Sequence, residues 1–156
     1  MRLTTYTDYS LRTMMYLVVK SERLATIRDI SAAYGISGNH LMKIVHQLGQ
    51  AGFIETVRGR HGGFRLARPP EQINLAEIVR VMEPDLEIAP CFAQENACAI
   101  APCCGLQHVL KEALDAFLGV LGRYTLADLV QSPRQLAGLL DTASVARTSG
   151  AATAAV

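Results

Sequence analysis

Leu11, Met14, Met15 and Val18 recur at helical spacing, so the pattern predicts a helix from Asp8 to about Val19, with the Thr7 hydroxyl as its N-cap. Thr26 followed three residues later by Asp29 has the form of a capping box and opens a short helix through Ala33. Tyr34-Gly35-Ile36 reads as a tight turn. Ser37 then caps a helix from Gly38 to about Gln50, which Gly52 ends. Helix-turn-helix geometry needs a small residue in the first helix, a glycine in the turn and apolar residues locking the pair. Ser31 and Gly35 meet the first two needs, and Ile30, Tyr34, Ile36, Leu41 and Ile44 supply the lock. Two strand-like runs follow, Phe53 to Val57 and Phe64 to Leu66, joined by a Gly-rich turn from Arg58 to Gly63. Ile73 to Met82 reads as a fourth helix, with Leu75, Ile78, Val79 and Met82 on one face. The expected fold is mainly α, with residues 1–83 forming a winged helix-turn-helix DNA-binding domain.

From Pro84 to Gly105 the periodicity vanishes, and Pro84, Pro90 and Pro102 keep the segment out of helix. A loop of about twenty residues is rarely kept in a compact domain without a functional reason. A long helix is expected from about Cys103 to Leu129, within a dimerisation unit at 103–131. Its Leu106, Leu110, Ala113, Phe117, Val120 and Tyr124 alternate steps of four and three, as in the seam of paired helices, which predicts a homodimer. Leu114, Leu118 and Leu121 widen the stripe, so a second surface is covered as well. Residues 132–156 form a C-terminal extension, and beyond Asp141 the Ala/Thr/Ser/Gly tail is expected to be mobile. No internal repeat is visible.

The net charge of +1 conceals an asymmetry. Residues 1–70 hold ten Lys/Arg against four Asp/Glu, whereas residues 71–156 hold five against ten. A basic front half is an electrostatic footprint for phosphate, which points to a double-stranded DNA operator. The longest early apolar run, Met14 to Val19, is too short for a signal core or a membrane span. A cytoplasmic location away from membrane is therefore expected, where thiols stay reduced. No nucleophile–base constellation or substrate-binding motif appears, so the chain does not read as an enzyme. A small iron–sulfur electron carrier is a rival that the wing disfavours.

In such a module the N-terminal residues of the second helix approach base edges in the major groove. Asn39, His40 and Lys43 stand there, and Ser37 is placed to reach a phosphate. The wing tip carries Arg58, Arg60 and His61 among Gly59, Gly62 and Gly63. The glycines alone fit an ordinary hairpin turn. Two arginines and a histidine on one tip suit a narrow, A·T-rich minor groove. His46 and His108 read as surface or packing residues.

Cys91, Cys98, Cys103 and Cys104 fall within fourteen residues, on the irregular loop and at the start of the long helix. Unpaired N–H groups at a helix N-terminus favour negative charge, which suits thiolate ligands. A loop without secondary structure can wrap an iron–sulfur cluster. Zinc is satisfied by three or four cysteines too, although the close CxxC pairing usual for it is absent. On spacing alone the two metals stand level, with redox thiols behind.

Three stretches together carry a resemblance: Met1-Arg-Leu-Thr-Thr-Tyr-Thr-Asp-Tyr9, Val57-Arg-Gly-Arg-His-Gly-Gly-Phe64 and Cys98-Ala-Ile-Ala-Pro-Cys-Cys-Gly-Leu106. Over roughly residues 1–130 the chain resembles the winged-helix iron–sulfur repressors of the NsrR and IscR type, which sense nitric oxide or regulate cluster assembly. The resemblance implies an iron–sulfur cluster, [4Fe–4S] or [2Fe–2S], held by Cys91, Cys98 and Cys104, with Cys103 a possible substitute for Cys104. It also implies Asp8, given by the partner subunit, as fourth ligand in the nitric-oxide sensors. Without it, Asp8 is a first-turn acidic residue favourable to the helix dipole. The cluster-assembly regulators carry a histidine three residues after the last cysteine; here that position is Gln107, with His108 beside it, which favours the nitric-oxide sensors.

Overall fold

Thr4, not Thr7, caps the first helix. α1 spans Thr5–Val19, and the Thr4 hydroxyl accepts a hydrogen bond from the Thr7 amide at 3.2 Å. The outermost threonine wins because Glu83 holds it: one carboxylate oxygen accepts from the Thr4 amide at 2.9 Å and from its hydroxyl at 3.3 Å. Thr7 is fully buried instead. The computed structural model describes residues 2–92, 98–100 and 103–153, with the side chains of 91 and 148–153 outside that description.

α2 (Ile27–Tyr34) opens with the expected reciprocal cap between Thr26 and Asp29. It ends at Gly35, whose φ of 71° is the left-handed conformation that closes a helix most easily without a side chain. α3 (Gly38–Gln50) follows after two residues, capped by Ser37. The lock assigned from the sequence holds the pair, with Ile30, Ile36, Leu41 and Ile44 buried and Tyr34 half-buried. The wing is an antiparallel hairpin of β1 (Ile54–Val57) and β2 (Gly63–Leu66), in register from Ile54 opposite Leu66 to Val57 opposite Gly63. Ala25 adds a third, single-residue pairing: its amide donates to the Phe64 carbonyl at 3.0 Å, and the Phe64 amide donates back at 2.9 Å. One paired residue leaves no alternation in sequence, so no strand was expected there.

α4 is Leu75–Met82, capped by Asn74, and so starts two residues after the expected Ile73. α5 is Gly105–Leu121, and α6 is Pro133–Thr153. Both C-terminal elements depart from expectation. The long helix stops eight residues before Leu129 because Asn74 Nδ2 donates to the Gly122 carbonyl at 2.8 Å and the chain turns back. The Leu75 amide then donates to the Tyr124 carbonyl at 3.1 Å, and the Leu126 amide to the Ile73 carbonyl at 2.8 Å. Fully buried Leu126 gains more from the core than from extending the helix. Residues beyond Asp141 continue α6 to Thr153 where a mobile tail was expected. α6 is pinned by buried Leu140, by Lys20 Nζ on Asp141 at 2.8 and 2.9 Å, and by Arg147 donating to the Ala32 and Ala33 carbonyls at the end of α2. One core results, in which Met14, Ile30, Leu41, Ile44 and Ile73 meet Leu126 and Leu140.

The capping box makes stability depend on acid. Burial pushes the Asp29 carboxyl up, but hydrogen bonds from the Thr26 hydroxyl (2.8 Å) and amide (2.9 Å) and from Arg23 (3.2 Å) outweigh it and hold the group below the usual carboxylate value. A depressed folded value means stabilisation that is fully present above the ordinary carboxylate value, about pH 4, and lost as pH falls from there through the lower folded one. Denaturant unfolding is expected to show Asp29→Asn less stable than the parent at neutral pH, with the gap closing in acid. A gap of constant size would remove the ionised carboxylate as its cause.

Candidate nucleic-acid interface and metal-ligand positions

α3 presents a fixed set of polar groups because its opposite side is committed. Leu41, Ile44 and Leu48 are fully buried, which leaves Asn39, His40, Met42 and Lys43 exposed. The Ser37 hydroxyl accepts from the His40 amide at 3.4 Å and keeps its own proton to donate outward. The His40 ring leans on Tyr9 of α1, centroids 6.4 Å apart and tilted by 38°. Tyr9 was not picked out from the sequence, since the contact joins two elements that no local pattern connects.

At the wing tip Gly62 and Gly63 are required by space, and Gly59 by its φ of 120°. A Cβ on Gly62 would lie 2.3 Å from the Val57 carbonyl oxygen, and one on Gly63 would lie 2.5 Å from that of Ala25. The hairpin turn thus accounts for the glycines, but not for Arg58, Arg60 and His61, all of them exposed. Among the described residues no ion pair involves Arg58, Arg60 or Lys43, whereas Arg12, Arg23, Arg65 and Arg68 each have a carboxylate partner. The cations nominated for DNA are therefore available to it. An open groove runs between α3 and the wing, bordered by Met42, His46 and Gly49 on one side and by Thr56 and Gly62 on the other. The wing and the recognition helix so flank one surface. Arg28, exposed on the first turn of α2, joins its rim and was missed because nothing in the linear order ties it to the wing.

The proposed ligands occupy several places. Cys98 and Cys103 are exposed and Cys104 is half-buried, and none of the three is in a disulfide. Cys103 Sγ donates to the Ile100 carbonyl at 3.5 Å, within its own turn. Cys104 is the N-cap residue of α5 and makes no side-chain capping bond, so helix formation does not occupy its sulfur. Cys91 has its backbone in a 3-10 turn, Pro90–Phe92, and its side chain lies outside the described residues. Asp8, on the first turn of α1, pairs with Arg12 Nε at 2.9 Å, with both side chains about half exposed. Among the described residues of one chain, no three His, Cys, Asp or Glu side chains converge on a common point. The donor chemistry nevertheless fits an iron–sulfur cluster: soft sulfur ligands, with Cys98, Cys103 and Cys104 unspent on disulfides, on a segment with no α-helix or strand among its described residues. No helix among the described residues is long and apolar enough to cross a membrane.

Residues 3–132 match the Rrf2 family, described as iron-dependent transcriptional regulators. The chain belongs to the Rrf2 family. Its relatives include the HTH-type transcriptional regulator NsrR of Bacillus subtilis, 51% identical over 90% of this chain and 97% of that one. The NsrR of Bacillus licheniformis is 48% identical over 90% and 99% of the two chains. Among solved structures, IscR of T. potens superposes with a TM-score of 0.67 at 26% identity, covering 84% of this chain and 87% of that one. CymR (YrzC), the global cysteine regulator of B. subtilis, gives 0.66 at 26% identity, over 83% and 95%. The winged-helix architecture and the resemblance read from the sequence are borne out. This Rrf2 protein is a DNA-binding transcription regulator rather than an enzyme.

Proposed function

We propose that this Rrf2 protein is an operator-binding repressor that depends on an iron–sulfur cluster and is relieved by nitric oxide. The observation that supports it most is the placement of the thiols at the root of α5, a helix with much of its apolar surface left bare in a single chain. Leu106, Val109 and Val120 are 62%, 58% and 44% exposed, while Leu118 on the opposite side is 7% exposed against its own domain. Pairing of two copies along α5 covers that surface and sets two recognition helices in twofold relation.

Cys91, Cys98 and Cys104, together with Asp8 of the partner subunit, would hold the cluster. When bound, the cluster supplies iron that reacts with nitric oxide. The remaining work falls to the chain's own side chains. Asn39, His40 and Lys43 meet base edges in the major groove, Ser37 donates to a phosphate, and Arg58, Arg60 and His61 enter the neighbouring minor groove. Ligation would draw Asp8 out of its ion pair with Arg12, one turn along the same helix, and would tether α1 of one copy to the cluster of the other.

Arg60→Ala is expected to weaken operator binding about tenfold and lower the salt dependence by about one phosphate contact. The visible spectrum should not change. A gel-shift titration over several salt concentrations checks this, and undiminished affinity would remove Arg60 from the interface. The whole reading is tested by anaerobic purification, with absorption and operator binding measured before and after addition of nitric oxide. Colourless, iron-free protein that binds the operator fully would defeat it.

A further inference from the structure

Three elements with separate duties converge on the last turn of α4. The final carbonyls of a helix have no partner within it. The Val79 carbonyl is taken by the Glu83 amide at 2.9 Å, closing the helix locally. The Val81 carbonyl is taken from far along the chain: Gln47 Nε2, on the recognition helix, donates to it at 2.6 Å. Two residues later the Glu83 carboxylate clamps Thr4, the cap of α1, and so fixes the first turn of the helix that carries Asp8. At Pro84 the chain enters the cysteine-bearing segment. Its beginning lies against α5, where Leu86, Ile88, Leu114 and Phe117 join Leu3 and Thr4 around a cavity of about 190 Å³.

We infer that Gln47 is a positioning residue, transmitting the setting of the last α4 turn, and with it the root of the cysteine segment and the start of α1, to the recognition helix. The link is a property of the protein alone; its use in regulation rests on the function proposed above. Gln47 suits the task because its side chain spans the gap between helices and ends in an amide donor, whereas its neighbours Leu48 and Ile44 grip the core without direction. A shift at residues 81–84 is thereby passed to α3 through a directional bond.

The test is a double-mutant cycle on the full-length, cluster-free chain, read by hydrogen exchange of the α3 amides at 38–50. Glu83→Ala, at a residue whose hydrogen bonds go to Thr4 and Val79 rather than to α3, is expected to speed their exchange about threefold in the parent and to have no further effect once Gln47→Met has removed the donor at similar length. Glu83→Gln keeps an acceptor for the Thr4 amide and should behave as the parent. If Glu83→Ala fails to fold, Thr4→Val loosens the same clamp and carries the same expectation. Equal acceleration in both backgrounds, or none in either, overturns the inference. Operator affinity with and without the cluster is measured on the same proteins. A non-additive exchange effect in a protein with equal affinity in both states leaves the link standing and defeats its regulatory use instead.

Discussion

Cys104→Ser, purified without oxygen, is expected to emerge nearly colourless, with iron and sulfide at or below about a tenth of the parent's content. Its thermal unfolding should be no worse than that of the metal-free parent. Cys104 makes no capping bond at the start of α5, and serine is the better N-cap. Cys103→Ser should keep its colour, since that thiol is turned to the Ile100 carbonyl of its own turn. Asp8→Ala should retain iron yet show a changed reaction with nitric oxide, because sulfur ligands still hold the cluster when the carboxylate is gone. Metal analysis with absorption spectra reads all three variants. Loss of colour in Cys103→Ser with retention in Cys104→Ser would move the ligand by one position.

Ile44→Ala should destabilise the protein by about 3 kcal/mol, a fall of roughly 10 °C in Tm for a chain of this size. Ile44 is fully buried at the centre of α3, among the side chains that fasten the recognition helix to the rest of the core. A cavity there loosens the element that, in the proposed function, presents Asn39, His40 and Lys43 as a set, so operator affinity should fall with stability. Met42, one turn face away and 55% exposed, gives the contrast: Met42→Ala should change stability by no more than about 0.5 kcal/mol. Equilibrium denaturation of both variants decides the matter, and similar losses would mean that α3 is not anchored by its buried stripe.

The reading head was legible because its signals are local. Thr26 with Asp29, Gly35, Ser37 and the glycines of the wing each act within a few residues, and each does in the fold what its chemistry dictates. The exposed cations at Lys43, Arg58 and Arg60 were legible for the same reason, since charge without a nearby opposite stands out in linear order. What escaped is tertiary. The choice of Thr4 over Thr7 is made by Glu83, almost eighty residues away. The repeat that runs through Tyr124 gives no hint that Asn74 draws Gly122 aside and ends α5 at Leu121. α6 looks like a spacer because its composition is small and polar, and a few side chains, Leu140 and Arg147 above all, tie it down. Tyr9, Arg28 and Gln47 acquire meaning only once their neighbours are known. The proposed cysteine ligands were suggested by donor chemistry and resemblance, neither of which depends on where the surrounding backbone runs.

Leu126 and Leu140 follow α5 in chain order, yet both are buried in the one core that also holds Ile30, Leu41 and Ile44 of the helix-turn-helix. A chimera that exchanged only the first 83 residues between relatives would acquire a head shaped around another protein's plugs. Specificity in this architecture is therefore transplanted with its returning C-terminal strap, or it arrives misfitted.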